Sequence, residues 1–405
     1  MDYDFKWIRP NISLYHIDKG CSFPIALLNS GNLANDFYKY AEDFFNAAES
    51  VIHYLCEEAA EREDIAKLDL WYFAMVYMYR QSIELLLKAN IFKIVISEND
   101  RKKIIGNVRH DLKQGYDKLL ELKDLEEADN ANANWLRKYL ADISRIDKES
   151  DMFRYPFSNN LNVLFDKQTH ISLVATHDNM NKAYNILSEL YKTGHFTEQA
   201  YEAYLPQLII EGGHYYQQSV VGYKYAQRSF YPYYSSYEEV GNFLREKILN
   251  DNKKEFFMPM CYMYRNAVEL GLKRIIIEDS HIDRIRALKI LQRKKHSILG
   301  LWNSIVDEVD KYSNVPDDDT TLNDTRKYIQ ALHDFDQSSD LFRYPCDKNL
   351  KIYFSEEKVL DIENVSSCFE ELCNFLDAVD SMLSEIKDYE AEMVAEMASY
   401  YDDYY

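Results

Sequence analysis

The chain has 405 residues, only 11 Gly and 8 Pro, and a formal net charge of −21. Sheets and tight hairpins consume Gly and Pro and helices exclude them, so the composition favours an all-α fold. The acidity repels phosphate backbones and argues against a general nucleic-acid binder, unless a local basic patch overrides the mean field.

The opening stretch MDYDFKWIRP is charged and is not a signal peptide. No run of about 18 apolar residues exists, so no membrane span is expected. The six cysteines (Cys21, Cys56, Cys261, Cys346, Cys368, Cys373) show no CxxC pair and no metal-ligand spacing. They are expected to be reduced thiols of a cytoplasmic protein. No Walker A or GxGxxG loop and no Ser-His-Asp signature is present, so no cofactor and no metal is expected.

Read along the chain, one unit occurs twice. YMYRQSIELLLK (77–88) matches YMYRNAVELGLK (262–273) at an offset of 185, as do the YKYA segments at Tyr38 and Tyr223. HDLKQGYDKLL from His110 falls on HSILGLWNSIV from His296. LRKYLADISRIDKESDMFRYP falls on TRKYIQALHDFDQSSDLFRYP at an offset of 189. The matches keep their order, which indicates an internal duplication. The expected organisation is an N-terminal segment (1–32), a first repeat (33–195), a Tyr-rich connector (196–217), a second repeat (218–388) and an acidic, Tyr-rich tail (389–405).

Within each repeat the first helix carries YKYA. The second runs from about Ile65 to Ile96, with a counterpart from about Lys253 to Glu278, on the helical spacing of Met75, Val76, Tyr79, Ile83, Leu86, Leu87 and Ile91. A third helix starts before the histidine, and a fourth contains RKY and ends at Phe-Arg-Tyr-Pro, because proline bars α geometry from the preceding tyrosine. A looped excursion with room for one short hairpin follows, and a last helix closes each unit (172–193 and 360–388).

Three constellations could carry chemistry. Arg80–Glu84–Lys88 and Arg265–Glu269–Lys273 are ladders at i, i+4, i+8 that either brace the helix or present an arginine to an anion. His110 and His296 sit among basic residues; each either pairs with a carboxylate or acts as acid, base or phosphate contact. Beside His296, Arg286, Arg293, Lys294 and Lys295 form the most basic patch, where any RNA contact is expected. The pattern D-x-x-S-D-x-F-R-Y-P supplies Asp147, Ser150, Asp151 and Arg154, then Asp336, Ser339, Asp340 and Arg343. The Asp–Arg pairs at i, i+3 suit a packed helix stop or a cleft lining beside the histidine.

The ordered set YRQSIELLLK, RHDLKQGYDKLL and FRYP, with its second copy, resembles the HEPN-type helical-bundle domains of prokaryotes. The resemblance covers most of each repeat. It implies two tandem bundles packed as an internal pseudo-dimer, open to further homodimer formation, in a toxin–antitoxin or antiphage defence setting with a protein partner. Many such domains are metal-independent ribonucleases that use an arginine and a histidine on one helix. Here Arg326 and His333 fit, with Asp340 and Arg343 in support, whereas the first repeat has Arg137 but Ser144 in place of histidine. About one Arg–His match is expected by chance among 17 arginines and 10 histidines, and Arg9 with His16 is a further match outside the repeats. The resemblance therefore points to a degenerate, non-catalytic sensing, scaffolding or effector-binding component. The alternatives are a ribonuclease using Arg326 and His333, and a small-ligand or nucleotide binder using Arg80, Arg265 and the histidines.

Overall fold

The computed structural model describes residues 6–17, 20–21, 23–123, 130–157, 163, 165–223, 229–316 and 318–402. The chain is mostly helical. The N-terminal half holds α1 (Leu33–Tyr54), α2 (Ile65–Ile94), α3 (Glu98–Val108), α4 (Leu112–Lys123), α5 (Ala131–Ile146) and α6 (Leu173–Thr193). The C-terminal half holds α7 (Tyr231–Asp251), α8 (Phe257–Arg274), α9 (Arg284–Lys294), α10 (Ile298–Trp302), α11 (Val306–Tyr312), α12 (Thr321–Phe335) and α13 (Ile362–Asp402).

Local chemistry sets the helix starts. Asn32 accepts from the Ala34 and Asn35 amides, Asp64 from Lys67, and Ser172 from Ala175. The two central helices are wrapped on every side, apolar except for one charged face on each. Every residue from Trp71 to Phe92 in α2, and from Phe257 to Lys273 in α8, is buried. α1, α4, α6 and α7 pack on α2, and α1, α7, α10 and α13 on α8. The Tyr77 and Tyr262 rings of α2 and α8 stack at 4.9 Å.

Four short strands form two antiparallel pairs among the described residues. β1 (Pro24–Leu27) pairs with β4 (Lys358–Asp361), and β2 (Thr169–Ser172) with β3 (Gln218–Val221). The strand that precedes each half thus pairs with the strand that opens the last helix of the other half. Among the described residues the strand ladders run between the halves in place of a hairpin within each unit, and the excursions carry single antiparallel bridges, Phe157 to Val163 and Cys346 to Ile352.

The leading segments cross over in the same way. Lys6 pairs with Glu370 at 2.7 Å, Arg9 with Glu371 at 2.5 Å, and Asn364 donates to the Ser13 carbonyl at 2.8 Å, so the N-terminal segment lies on α13. The connector lies on the N-terminal half: Asn132 donates to the Thr197 carbonyl at 2.8 Å, and Asp142 accepts from the Leu208 amide at 2.8 Å.

Three further boundaries differ from the sequence reading. The helix before the histidine stops at Val108 or Lys294, and a new one starts after it, because Arg109 and Lys295 both take φ +49. α5 and α12 end at Ile146 and Phe335, well short of Phe-Arg-Tyr-Pro, because Asp147 and Asp336 leave helical geometry. Of the two YKYA segments, Tyr38–Ala41 is on α1, whereas Tyr223 precedes α7 and residues 224–226 lie outside the described set. The tail continues α13 as helix to Asp402, and residues 403–405 lie outside the described set.

Gly222, at φ +73, follows β3. A Cβ there would stand 2.1 Å from the Lys167 carbonyl oxygen. Gly222→Ala is expected to lower the unfolding free energy by about 2–4 kcal/mol, read from urea unfolding.

Candidate functional site

Two buried charge clusters of like composition dominate the interior. In the first, α2 supplies Arg80, Glu84 and Lys88 from one face, the α3–α4 turn supplies His110, and Asp147 follows α5. Glu84 lies 3.0 Å from Arg80 Nη1, 2.6 Å from Lys88 Nζ and 3.1 Å from His110 Nδ1. Asp147 Oδ2 lies 3.0 Å from Arg80 Nε, and Arg80 Nη2 donates to the carbonyls of His110 (2.7 Å) and Asp147 (3.1 Å).

The second cluster repeats this on α8. Glu269 contacts Arg265 Nη1, Lys273 Nζ at 2.7 Å and His296 Nδ1 at 2.9 Å. Asp336 Oδ2 lies 3.1 Å from Arg265 Nε.

Each cluster is completed from the other half. The Tyr344 hydroxyl donates to Glu84 Oε1 at 2.7 Å, and the Tyr155 hydroxyl donates to Glu269 Oε1 at 2.8 Å. The Lys88 and Lys273 ammoniums sit over these same tyrosine rings, at 4.4 and 4.2 Å. The two Phe-Arg-Tyr-Pro turns are therefore reciprocal latches.

The D-x-x-S-D-x-F-R-Y-P pattern builds the latch. Asp147 Oδ1 accepts from the Asp151 (2.8 Å) and Met152 (3.0 Å) amides and so closes the turn after α5. Ser150 takes the left-handed conformation, φ +63, and its carbonyl accepts from Arg154 Nε at 2.6 Å. Arg154 pairs with Asp151 at 2.9 Å. Asp336, Ser339, Asp340 and Arg343 repeat the arrangement, with Ser339 at φ +66 and Arg343 paired to Asp340 at 2.8 Å. Proline then holds the tyrosine out of helical geometry, which lets it reach across.

Burial opposes ionisation of Glu84, but Lys88, His110 and Arg80 outweigh it and hold the carboxyl well below its ordinary range. Glu269 behaves alike through Lys273, His296 and Arg265. Burial lowers the Lys273 ammonium. Glu269 pulls the His296 pKa up, but burial, Lys273 and Arg154 together bring it below the usual histidine value. Because both carboxyls titrate below their unfolded value near 4.3, the unfolded chain takes up protons that the folded chain refuses. Their contribution is complete above that pH and is lost below it.

The histidines are the accessible members. Their side chains are 31% and 38% exposed, against 3% and 0% for the two glutamates. An N–H on Nδ1 donates to the buried carboxylate and leaves Nε2 as an acceptor without a partner among the described residues. Such an oriented imidazole can transfer a proton or contact an anion. The cations around it are already matched: Arg80 and Lys88 by Glu84 and Asp147, Arg265 and Lys273 by Glu269 and Asp336.

The structure thus gathers Arg80, His110, Arg265 and His296 into the clusters, and Asp151, Arg154, Asp340 and Arg343 into the latches. It leaves Arg326 and His333 apart. Both are on α12, Arg326 exposed and His333 half-buried, and neither is bonded to a cluster. Ser144, which replaces the histidine in the first half, accepts from the Lys113 amide at 2.9 Å and so holds the start of α4. Arg293 is exposed on α9.

Sequence reasoning missed the crossing tyrosines. It also missed Glu49, His53 and His177, because His177 lies far along the chain from the first two. A comparison of the chain with protein-family models, curated proteins and solved structures finds no match.

Proposed function

We propose that the chain is an internally duplicated pair of HEPN-like bundles that serves as a non-catalytic, effector-holding component of a prokaryotic defence system. The reciprocal latches carry this reading: two like units are locked face to face through the residues that two separate copies would exchange. The matched charges of the clusters and the helix-holding role of Ser144 also support it, since a paired ribonuclease site would need free cations and a histidine from each unit. In this reading the exposed cations Arg284, Arg286, Lys289 and Arg293 of α9 are the surface for an anionic partner or RNA.

A metal-independent ribonuclease is the second reading. His333 Nδ1 is buried without a partner, two turns from Arg326 on one helix, which favours an unused imidazole there. Incubating the purified chain with single-stranded and structured RNA across a range of pH separates the two. The expected result is intact RNA, unchanged by Arg326→Ala with His333→Ala. Cleavage that these substitutions abolish would overturn the non-catalytic reading.

A further inference from the structure

Glu49 and His53 lie one turn apart on α1, and His177 reaches them from α6. Their ligand atoms all lie within 4.8 Å of one another. Glu49 Oε2 is 3.3 Å from His177 Nε2 and 3.7 Å from His53 Nε2. An ion held at about 2.1 Å by tetrahedral ligands separates those ligands by about 3.4 Å. We infer that Glu49 Oε2, His53 Nε2 and His177 Nε2 bind a first-row transition-metal dication such as zinc, with a fourth position left for water.

Glu49 and His177 have the hydrogen-bonded outer contact that such sites use, and a carboxylate stands near His53. The Tyr79 hydroxyl donates to Glu49 Oε1 at 2.6 Å and leaves Oε2 to the ion. Asp178 Oδ1 lies 2.9 Å from His177 Nδ1, and Glu57 Oε1 lies 3.9 Å from His53 Nδ1, so each histidine turns Nε2 to the shared point. Two imidazoles and one carboxylate suit zinc and its neighbours rather than calcium or magnesium, which take oxygen cages. The site opens to solvent at His53, whose side chain is 60% exposed. Directly after His53 the helix relaxes into a π turn, Leu55–Ala59, a feature common at functional sites.

The other half shows that the fold does not require this set. Tyr264 aligns with Tyr79 in the repeated YMYR stretch. Its hydroxyl donates at 2.6 Å to Asn242, a neutral amide. Two histidines converging on a carboxylate in one half alone, among the described residues, are thus better explained by a ligand than by packing.

The test uses the full chain stripped with a chelator, then titrated with zinc by calorimetry and with cobalt(II) by visible absorption. One ion per chain is expected, with d–d bands of a low-coordinate nitrogen and oxygen site. Asp178→Asn should weaken binding about 10- to 100-fold, as loss of an outer partner does. Glu49→Gln and His53→Ala should weaken it more than that, and His195→Ala, on an exposed turn, not at all. Because His53 is largely exposed, His53→Ala keeps the fold, which circular dichroism verifies, and so decides the matter if His177→Ala does not fold. Absence of saturable binding of either ion, or binding that survives His53→Ala, would overturn the inference and leave a metal-free His–carboxylate cluster.

Discussion

Replacing Glu269 by leucine should cost about 3–5 kcal/mol of folding free energy, because Arg265 and Lys273 are left buried against a single aspartate. Glu269 is wholly buried and accepts from Arg265, Lys273, His296 and Tyr155, and Arg265 and Lys273 are themselves buried, so neither cation is placed in water to compensate. The loss should be smaller at pH 3.5 than at pH 7, since the wild-type carboxylate forfeits its own contribution once the pH falls below the unfolded value. Tyr155→Phe, in the other half of the chain, should cost about 1.5–3 kcal/mol alone, the usual worth of a hydrogen bond to a charged group. In the Glu269→Leu background it should cost close to nothing. Urea unfolding of the four proteins at two pH values gives the cycle. Additive losses would show that the latch is not a working contact.

The second large effect is expected from cutting the chain between 195 and 196. Neither piece should unfold cooperatively alone, and mixing the two should restore the helical signal and a single transition. The ground is the exchange of parts. The first piece would carry β1 and the segment from Lys6 to Ser13, whose partners are β4 and α13 of the second. The second would carry β3 and the connector, whose partners are β2, α5 and α6 of the first. Each piece would also expose a cluster missing its tyrosine. Circular dichroism and denaturant titration of the separate and mixed pieces provide the readout. Two independent transitions with full helicity would defeat the expectation.

Much of the helical frame was legible in the residues. The apolar spacing through Tyr79, Ile83 and Leu86 gave α2 nearly to its ends, and the i, i+3 spacing gave the Asp151–Arg154 and Asp340–Arg343 pairs. The crossing was not legible, because the two halves carry the same motif: nothing in the residues around Tyr155 distinguishes Glu84 from Glu269 as its acceptor. Strand exchange was hidden for a related reason. Four-residue strands carry little alternation, and β1 pairs with a segment more than 300 residues away. The breaks at Arg109 and Lys295 escaped because a positive φ at a long cationic residue leaves no glycine to signal it. Glu49, His53 and His177 converge only through the packing of α1 on α6.

The exchange of leading segments also dictates when the molecule can finish folding on the ribosome. β1 is made first, but Arg9 waits for a partner 362 residues later, and β1 for a strand made almost as late. At about 5–20 residues per second, that delay lasts roughly 20–70 s. Throughout it the Pro24–Leu27 edge stays unpaired, and the Glu84 cluster waits for Tyr344. The nascent N-terminal half is therefore the stage most open to chaperone capture, or to pairing with the C-terminal half of a neighbouring chain on the same message.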